Sequence, residues 1–241
     1  MEWLVQLCLM LAPHVQRRLY LAILSSKQDK IEFEYVSRVT GIDEDVARAW
    51  LLSLGISGIE RDPLVLKERV WAALLEGAVS TGIPLEVIAG TIPWQRFEVL
   101  AKEALLKYGF EACRHVRFTY GGRRWEIDVL GVRDGDMICM DCKQWKKGGK
   151  GGVIRNSTRE QLSRVVALSK LKTKPRLLRA RRRRLNAYAA LMTLLDTGRY
   201  IVDGCFIVPI TKLNSFLDQF YELRGLVRPV RIEQEGPVES H

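Results

Sequence analysis

Hydrophobic and polar residues alternate most regularly in the middle of the chain. Two apolar runs there, Ile127–Val132 and Met137–Met140, flank the dipeptide Asp134-Gly135. Asp-Gly between such runs is typical of a two-residue β-hairpin turn, because a type I′ turn needs positive φ at both central residues. The pattern therefore predicts a hairpin that turns at Asp134 and Gly135.

This register places Asp128 directly opposite Asp141 and Glu126 directly opposite Lys143. The four side chains share one face of the hairpin, since side chains alternate along a strand. Two facing carboxylates repel, and a divalent cation is the obvious compensation, because Mg²⁺ takes one or two protein carboxylates with phosphate oxygens and water. The alternative is an exposed face on which Glu126 pairs with Lys143 and Asp128 is solvated.

The preceding segment, Trp94–Tyr108, has helical spacing of apolar residues, and Glu98 lies within its apolar stripe. A carboxylate facing a core must be paired, protonated or bound to metal, whereas at the stripe edge it bends out to solvent. Ala112–Tyr120 is predicted to be a strand, which makes a three-stranded meander with the hairpin. His115 in that strand is interpreted as structural, because the sequence offers no Ser or His partner for it.

Downstream of the hairpin, the pattern predicts a mobile glycine-rich loop and four further segments. Ser157 and Glu160 have the spacing of a capping box. The predicted segments are a helix over Thr158–Lys170, a helix over Arg176–Leu195, a buried strand over Cys205–Ile210, a final helix around Leu213–Phe220, and a flexible tail over 227–241.

Residues 1–80 show short helical segments and a small hairpin, which resembles a winged helix. Gly and Pro residues mark 81–91 as a linker, so a second domain is expected over 92–226. The helix in the DNA-reading position opens with Asp43-Glu44-Asp45, and residues 1–80 contain nine basic and eleven acidic side chains. Phosphates would be repelled there, so this module is expected to make protein or subunit contacts.

Composition excludes several classes of protein. The 241 residues are 47% hydrophobic, and no apolar run approaches the length of a membrane span. The N-terminal segment lacks the basic start of a secretory signal. Five scattered cysteines are interpreted as reduced thiols rather than a zinc or redox site, which predicts a cytoplasmic protein.

The net charge of +10 is concentrated after the hairpin. From Asp141 to Arg184 the chain contains sixteen Lys or Arg and two acidic residues. Such density favours nucleic acid as the partner, the alternative being a solubilising surface. The candidate backbone contacts are Lys146, Lys147, Lys150, Arg155, Arg159, Arg181, Arg182, Arg183 and Arg184.

A helix with an acid, a hairpin with an Asp, and then Asp141-Cys142-Lys143 resembles the PD-(D/E)XK nuclease superfamily over Trp94 to Leu223. The Phe-Glu pair on the helix and Lys-Gln-Trp after the motif are similar to Mrr-like restriction endonucleases. The segment Leu105–Phe110 is similar to archaeal Holliday-junction resolvases.

The resemblance implies an α/β fold with a restriction-endonuclease-like mixed sheet flanked by helices. It also implies the site residues Glu98, Asp128, Asp141, Lys143 and Gln144. The first three would bind Mg²⁺ or Mn²⁺, Lys143 would position water or offset charge, and Gln144 would be accessory.

The function expected from these features is that of a metal-dependent DNA endonuclease in repair, recombination or restriction, cytoplasmic and nucleoid-associated. Cutting both strands needs two sites, so a homodimer is a hypothesis. The alternatives are a non-catalytic nucleic-acid-binding protein with the same fold and an RNA-processing nuclease.

Overall fold

A computed structural model describes residues 11–26, 30–59, 63–91, 93–145, 151–171 and 184–233. The chain divides into two compact units, Met1–Pro93 and Trp94–His241. Within the described ranges, no helix is both long and apolar enough to cross a membrane.

The first unit has the order helix, strand, helix, helix, strand that the sequence predicts for a winged-helix-like module. Asp43 caps the third helix by accepting a hydrogen bond from the Asp45 N–H at 2.8 Å. The two strands pair antiparallel. The elements are α1 (Pro13–Leu24), β1 (Lys30–Ile31), α2 (Phe33–Thr40), α3 (Glu44–Ser53), β2 (Leu64–Val65), α4 (Glu68–Ser80) and α5 (Leu85–Thr91).

Helix α5 corrects the prediction that 81–91 is a linker. Ile88 in this helix is buried, and the helix contacts α1 and α4. The segment therefore belongs to the packed first unit, because burial of an apolar side chain outweighs the local preference of Gly and Pro for loops.

The second unit is a mixed seven-stranded sheet flanked by helices, as predicted. Strands run in the order β3-β4-β5-β6-β8-β7, with β9 also paired to β6. The β5–β6 and β6–β8 pairs are parallel and the others antiparallel. The elements are α6 (Trp94–Lys107), β3 (Glu111–Tyr120), β4 (Arg123–Arg133), β5 (Asp136–Lys143), α7 (Gly151–Ser169), β6 (Arg184–Thr193), β7 (Ile201–Val202), β8 (Cys205–Pro209), α8 (Leu213–Asp218), α9 (Phe220–Leu223) and β9 (Val230–Glu233).

The hairpin prediction is confirmed at its turn. Asp134 and Gly135 have φ of +52° and +91°, and the β4–β5 ladder runs in the predicted register from Arg133↔Asp136 to Val129↔Met140. In the strands as described, the ladder ends there. In the residues before Val129, strand β4 pairs with β3, and in the residues after Met140, strand β5 pairs with β6.

The helix predicted over Arg176–Leu195 is wrong for its described part, which is strand β6 in the middle of the sheet. Leu185, Ala187 and Ala189 pack with helix α7 in one hydrophobic cluster, whereas Tyr188, which lies between Ala187 and Ala189 in the strand, is outside that cluster. A strand buried on both faces is a continuous apolar run, which sequence periodicity cannot separate from a buried helix.

Two boundaries also differ from prediction. Helix α7 begins at Gly151, so Ser157 is within the helix and does not cap it. The tail predicted over 227–241 contains β9, in which Ile232 is fully buried opposite Leu185. Its alternation of exposed and buried residues is too short to have been distinguished from a coil.

Candidate active site

Asp128 and Asp141 come together where β4 and β5 part. Asp141 is 2% exposed and lies near the end of β5. The described ladder ends at Val129↔Met140, and the same register continued by one residue places Asp128 opposite Asp141, as predicted. The Cys142 backbone N–H donates a hydrogen bond of 2.9 Å to Asp128 Oδ2. This bond joins the two strands at the position where their ladder stops, and it keeps both carboxylates at one site.

Two cations neutralise Asp141. Lys143 Nζ lies 2.9 Å from Asp141 Oδ2, and Arg164 Nη1 lies 2.8 Å from Asp141 Oδ1. The Lys143 contact lacks hydrogen-bond alignment, so Oδ2 accepts no hydrogen bond within the described structure. A buried carboxylate is stable when paired in this way, and the pairing places Lys143 beside Asp141.

Arg164 lies on helix α7, and the sequence analysis did not predict it as a site residue. Gln161, fully buried one turn earlier, donates from Nε2 to the Cys139 carbonyl at 2.8 Å. Arg164 Nη1 also donates to Gln161 Oε1 at 3.3 Å. The two residues anchor the helix on β5. An i, i+3 pair of polar residues in an otherwise buried helical stripe is the signal that could have identified them.

The pKa of Asp128 is raised to about 7, mainly by burial and then by the negative charge of Asp141. The Cys142 N–H acts in the opposite direction, and Glu98 adds a further increase. A carboxylic acid that ionises near neutrality is characteristic of a functional site.

Glu98 faces the interior from helix α6 and is 1% exposed. Its bending out to solvent is thereby excluded. Burial is the main cause of its raised pKa, and His115 opposes this increase. Glu98 Oε2 lies 3.3 Å from His115 Nε2 and accepts no hydrogen bond from any described residue.

His115 is the second site residue that sequence analysis missed. The β3–β4 register places it across from Asp128, but it leaves the ladder and has a φ of +56°. Its Nδ1 lies 3.0 Å from Glu126 Oε1, so the ring bridges Glu126 and Glu98. A left-handed histidine in a strand is strained and is retained only where its surroundings demand it. No local sequence pattern predicts the positive φ of His115.

Glu126 pairs with Arg117 and Lys143 pairs with Asp141, so the alternative of a Glu126–Lys143 pair on an exposed face is not observed in the described structure. Glu126 accepts a hydrogen bond of 2.9 Å from Arg117 Nε on the neighbouring strand. This bond is the main reason that the pKa of Glu126 is lowered. Glu126 therefore interacts with β3 at the edge of the site.

The predicted basic contacts are only partly placed near the acids. Arg155 and Arg159 are exposed on α7, and Arg159 Nε lies 3.6 Å from Asp203 Oδ2. Arg184 lies near the turn end of β5, because its neighbour Asn186 pairs with Asp136. It is therefore separated from Asp141 by the length of that strand, and its predicted contact with nucleic acid stays a prediction. Lys146, Lys147, Lys150, Arg181, Arg182 and Arg183 lie outside the described residues.

Gln144 directly follows β5 and is partly exposed beside Lys143. Its position is compatible with the accessory role that the sequence predicts.

Among the described residues, no three His, Cys, Asp or Glu side chains form a group able to hold a metal ion. Mg²⁺ nevertheless needs only one or two protein carboxylates. Asp141 Oδ2 and Glu98 Oε2 are buried carboxylate oxygens without a hydrogen-bond donor in the described structure. A hard cation would also relieve the repulsion that raises the pKa of Asp128. The donor chemistry of Asp128 and Asp141 therefore fits a divalent cation.

No protein-family model matches the chain. An uncharacterized protein from Archaeoglobus fulgidus is 26% identical over 129 residues, which cover 53% of this chain and 92% of that protein. The crystal structure of VC1899 from Vibrio cholerae aligns with a TM-score of 0.41 and 15% identity over 93% of this chain and 54% of that one. AF1548, a protein of unknown function, aligns with a TM-score of 0.29 and 18% identity over 42% of this chain and 46% of that one. The chain thus spans about half the length of each solved structure.

Proposed function

We propose that the unit Trp94–His241 is a divalent-metal-dependent DNA endonuclease. The observation that carries this proposal is the buried Asp141 beside Asp128, with Lys143 Nζ 2.9 Å from the Asp141 carboxylate. Two carboxylates and a lysine at the point where two strands separate are the groups that phosphodiester hydrolysis needs. They match the residues that the resemblance to PD-(D/E)XK nucleases implies.

Asp128 and Asp141 would hold Mg²⁺ or Mn²⁺, with Glu98 the additional carboxylate from α6. When bound, such an ion polarises the phosphate and acidifies a water molecule. The ionised form of Asp128 is the one that binds a cation, so its pKa near 7 makes metal affinity rise with pH.

The chain's own groups have separate tasks in this proposal. Lys143 stabilises negative charge on the phosphate or holds the attacking water, since it is partly exposed while its partner Asp141 is buried. Arg164 holds Asp141 in one orientation through a contact of 2.8 Å. His115 holds Glu98 through a contact of 3.3 Å between its Nε2 and Glu98 Oε2.

The test is cleavage of a labelled panel of duplex, single-stranded, flapped and four-way-junction DNA, with RNA of the same sequence. Each is incubated with Mg²⁺, Mn²⁺ or EDTA. Metal-dependent cutting is expected for the wild type, with a loss on the order of 10²-fold or more in Lys143→Ala, as for other groups that stabilise a transition-state charge. The exposed Lys170→Ala is the matched control and should cut normally.

Cutting that persists in EDTA or in Lys143→Ala contradicts the proposal. If RNA is cut in preference to DNA, the substrate of the proposed nuclease is RNA. The enzyme is proposed to act on the nucleoid in the cytoplasm, as a homodimer when both strands are cut. Light scattering measures the mass of the DNA complex. A mass that corresponds to one protein chain would exclude the homodimer.

A binding-only protein is the second candidate. The observation that favours it is that Lys143 and Arg164 already neutralise Asp141 without a metal. This candidate predicts salt-sensitive DNA binding that is indifferent to Mg²⁺ and to Asp128→Asn, and no cutting with either metal.

A further inference from the structure

The outer half of the β3–β4 hairpin is a two-stranded ribbon. Strand β4 pairs with β3 from Arg123 onward, but within the described strands its ladder with β5 begins only at Val129. Residues 117–126, which we call the ribbon, therefore pair across the hairpin and extend beyond the rest of the sheet. The ribbon begins next to Asp128, so it leaves the sheet at the candidate active site.

The ribbon is rich in arginine and aromatic side chains. Its sequence contains three arginines and a single acid, Glu126, which is paired with Arg117. Arg123 and Arg124 at the tip are exposed, and Tyr120 is 41% exposed. An exposed sheet edge needs charges to prevent strand addition, but that purpose does not require aromatic residues at the tip. The combination is typical of nucleic-acid contacts.

The tip is held in one conformation. The guanidinium of Arg123 lies 4.1 Å from the centre of the Trp125 ring, in a cation–π arrangement. Trp125 Nε1 donates a hydrogen bond of 3.2 Å to the Tyr120 carbonyl. Preorganised side chains lose less conformational entropy on binding. The tip is thus suited to contact a ligand.

One of the tip arginines is aligned with the site. Arg124, Glu126 and Asp128 occupy alternate positions of β4, so they share a face of the strand. Arg124 is four residues from Asp128, which corresponds to about 13 Å along the strand. That distance spans about four base pairs of duplex DNA, which rises 3.4 Å per base pair.

We propose that the ribbon is a second DNA contact, which enters the major groove of duplex DNA and binds its backbone through Arg123 and Arg124. The B-DNA major groove admits a two-stranded β-ribbon, and the arginines on its tip complement the phosphates that line the groove. This inference rests on the proposed function, since the DNA seated on the ribbon is the DNA cut at Asp128 and Asp141.

The test is binding of a labelled duplex in EDTA over a series of KCl concentrations, so that no cutting occurs. Arg123→Ala/Arg124→Ala is expected to raise Kd on the order of tenfold and to lower the slope of log Kd against log salt by about two. Arg123→Lys/Arg124→Lys keeps both charges and should retain most of the slope.

The matched control is Arg228→Ala/Arg231→Ala. Both residues are exposed, and Arg231 pairs with Asn186 at the turn end of the central strands, away from the site. Its affinity for DNA should remain within about twofold of the wild-type value, because surface residues away from an interface contribute little to binding.

A second measurement locates the contact. Duplexes are shortened base pair by base pair on one side of the cleavage position. Their affinity for the wild-type protein should drop when fewer than about four base pairs remain on that side, the span given by strand and duplex geometry. The double alanine variant should show no such step.

The proposal is overturned if the double alanine variant binds with the wild-type Kd and salt slope. It is also overturned if the double lysine variant loses as much affinity as the double alanine variant. Loss of binding to single-stranded DNA with duplex binding intact overturns the assignment to duplex. Absence of any DNA binding overturns it as well.

Failure of the proposed function has a different signature. If wild-type protein does not cut with Mg²⁺ or Mn²⁺ but the ribbon variants lose affinity, the ribbon stands and the nuclease activity fails. If wild-type protein cuts and the ribbon variants bind normally, only the ribbon fails.

Discussion

At the scale of single residues, the site is governed by carboxylates held away from water. Asp141 lies beside the cations of Lys143 and Arg164, whereas Asp128 accepts a hydrogen bond of 2.9 Å from the Cys142 N–H. Burial of an acid without a cationic partner favours its neutral form. Asp128 is therefore the residue whose charge is most sensitive to pH and to added cations.

Asp128→Asn is expected to stabilise the protein at high pH. The folded-state pKa of about 7 exceeds the ordinary value of 3.8, so the folded state binds more protons between these values. Stability therefore falls as pH rises through this window, and the loss is complete above pH 7. The variant removes this loss and should gain roughly 4 kcal/mol in the free energy of unfolding at pH 8, since one pKa unit corresponds to about 1.4 kcal/mol.

Urea unfolding at pH 4 and pH 8 measures this effect. The gain should nearly vanish at pH 4, where Asp128 of the wild-type protein is already protonated in the folded state. Asp218→Asn, at an exposed position, is the control and should show no such dependence. An equal effect of Asp128→Asn at both pH values would contradict a raised pKa.

At His115 we expect glycine to be better tolerated than alanine. The residue has a φ of +56°, a conformation that costs an L-residue roughly 1–2 kcal/mol and glycine almost nothing. Both substitutions remove the contacts with Glu98 and Glu126, so their difference isolates the backbone. His115→Gly should exceed His115→Ala in unfolding free energy by about 1 kcal/mol.

Chemical denaturation of the two variants side by side decides this point. In an ordinary strand alanine is the more stable of the two. If His115→Ala is more stable than His115→Gly, the backbone at position 115 is not left-handed.

At the scale of elements, strand β9 completes the central sheet. It pairs with the first half of β6, while β8 pairs with the second half, so both ends of β6 have a partner on this edge. Ile232 is fully buried in the same hydrophobic cluster as Leu185 and Val165. The strand therefore covers one edge of the cluster that holds α7, and with it Arg164.

Ile232→Ala is expected to lower the free energy of unfolding by about 2–5 kcal/mol, the usual cost of truncating a buried Ile. Arg231→Ala, an exposed neighbour on the same strand, should change it by less than about 0.5 kcal/mol. Thermal or urea unfolding compares the three proteins. Equal stability of the two variants would mean that β9 is not packed on the sheet.

At the scale of the whole molecule, charge is divided between the two units. Residues 1–93 contain 9 basic and 12 acidic side chains, whereas residues 94–241 contain 29 and 16. Because phosphate neutralisation dominates DNA affinity, binding should belong to the second unit. We therefore expect the first unit to make protein or subunit contacts.

Fragments of the chain test this division. Trp94–His241 alone is expected to bind duplex DNA with nearly the salt dependence of the full chain, and Met1–Pro93 alone is expected not to bind. Fluorescence anisotropy measures binding, after circular dichroism has verified that each fragment folds. DNA binding by the first fragment would assign it the recognition role that its acidic helix argues against.

The sequence by itself determined the features that depend on neighbouring residues. The Asp134-Gly135 turn requires positive φ, and its register brought Asp128 near Asp141 and Lys143. The burial of Glu98 followed from the apolar stripe around it. These inferences needed only local geometry, and they identified most of the acids of the candidate site.

Only the tertiary structure decided what depends on distant pairing. An apolar run such as Ala187–Thr193 forms a helix or a strand according to whether parallel partners are available, and here β5 and β8 supply them. In the same way Arg164 and His115 reached the site through the packing of α7 and the distortion of β3. Contacts between residues far apart in the chain leave no periodic signal in its sequence, so these parts of the site were found only when the fold was known.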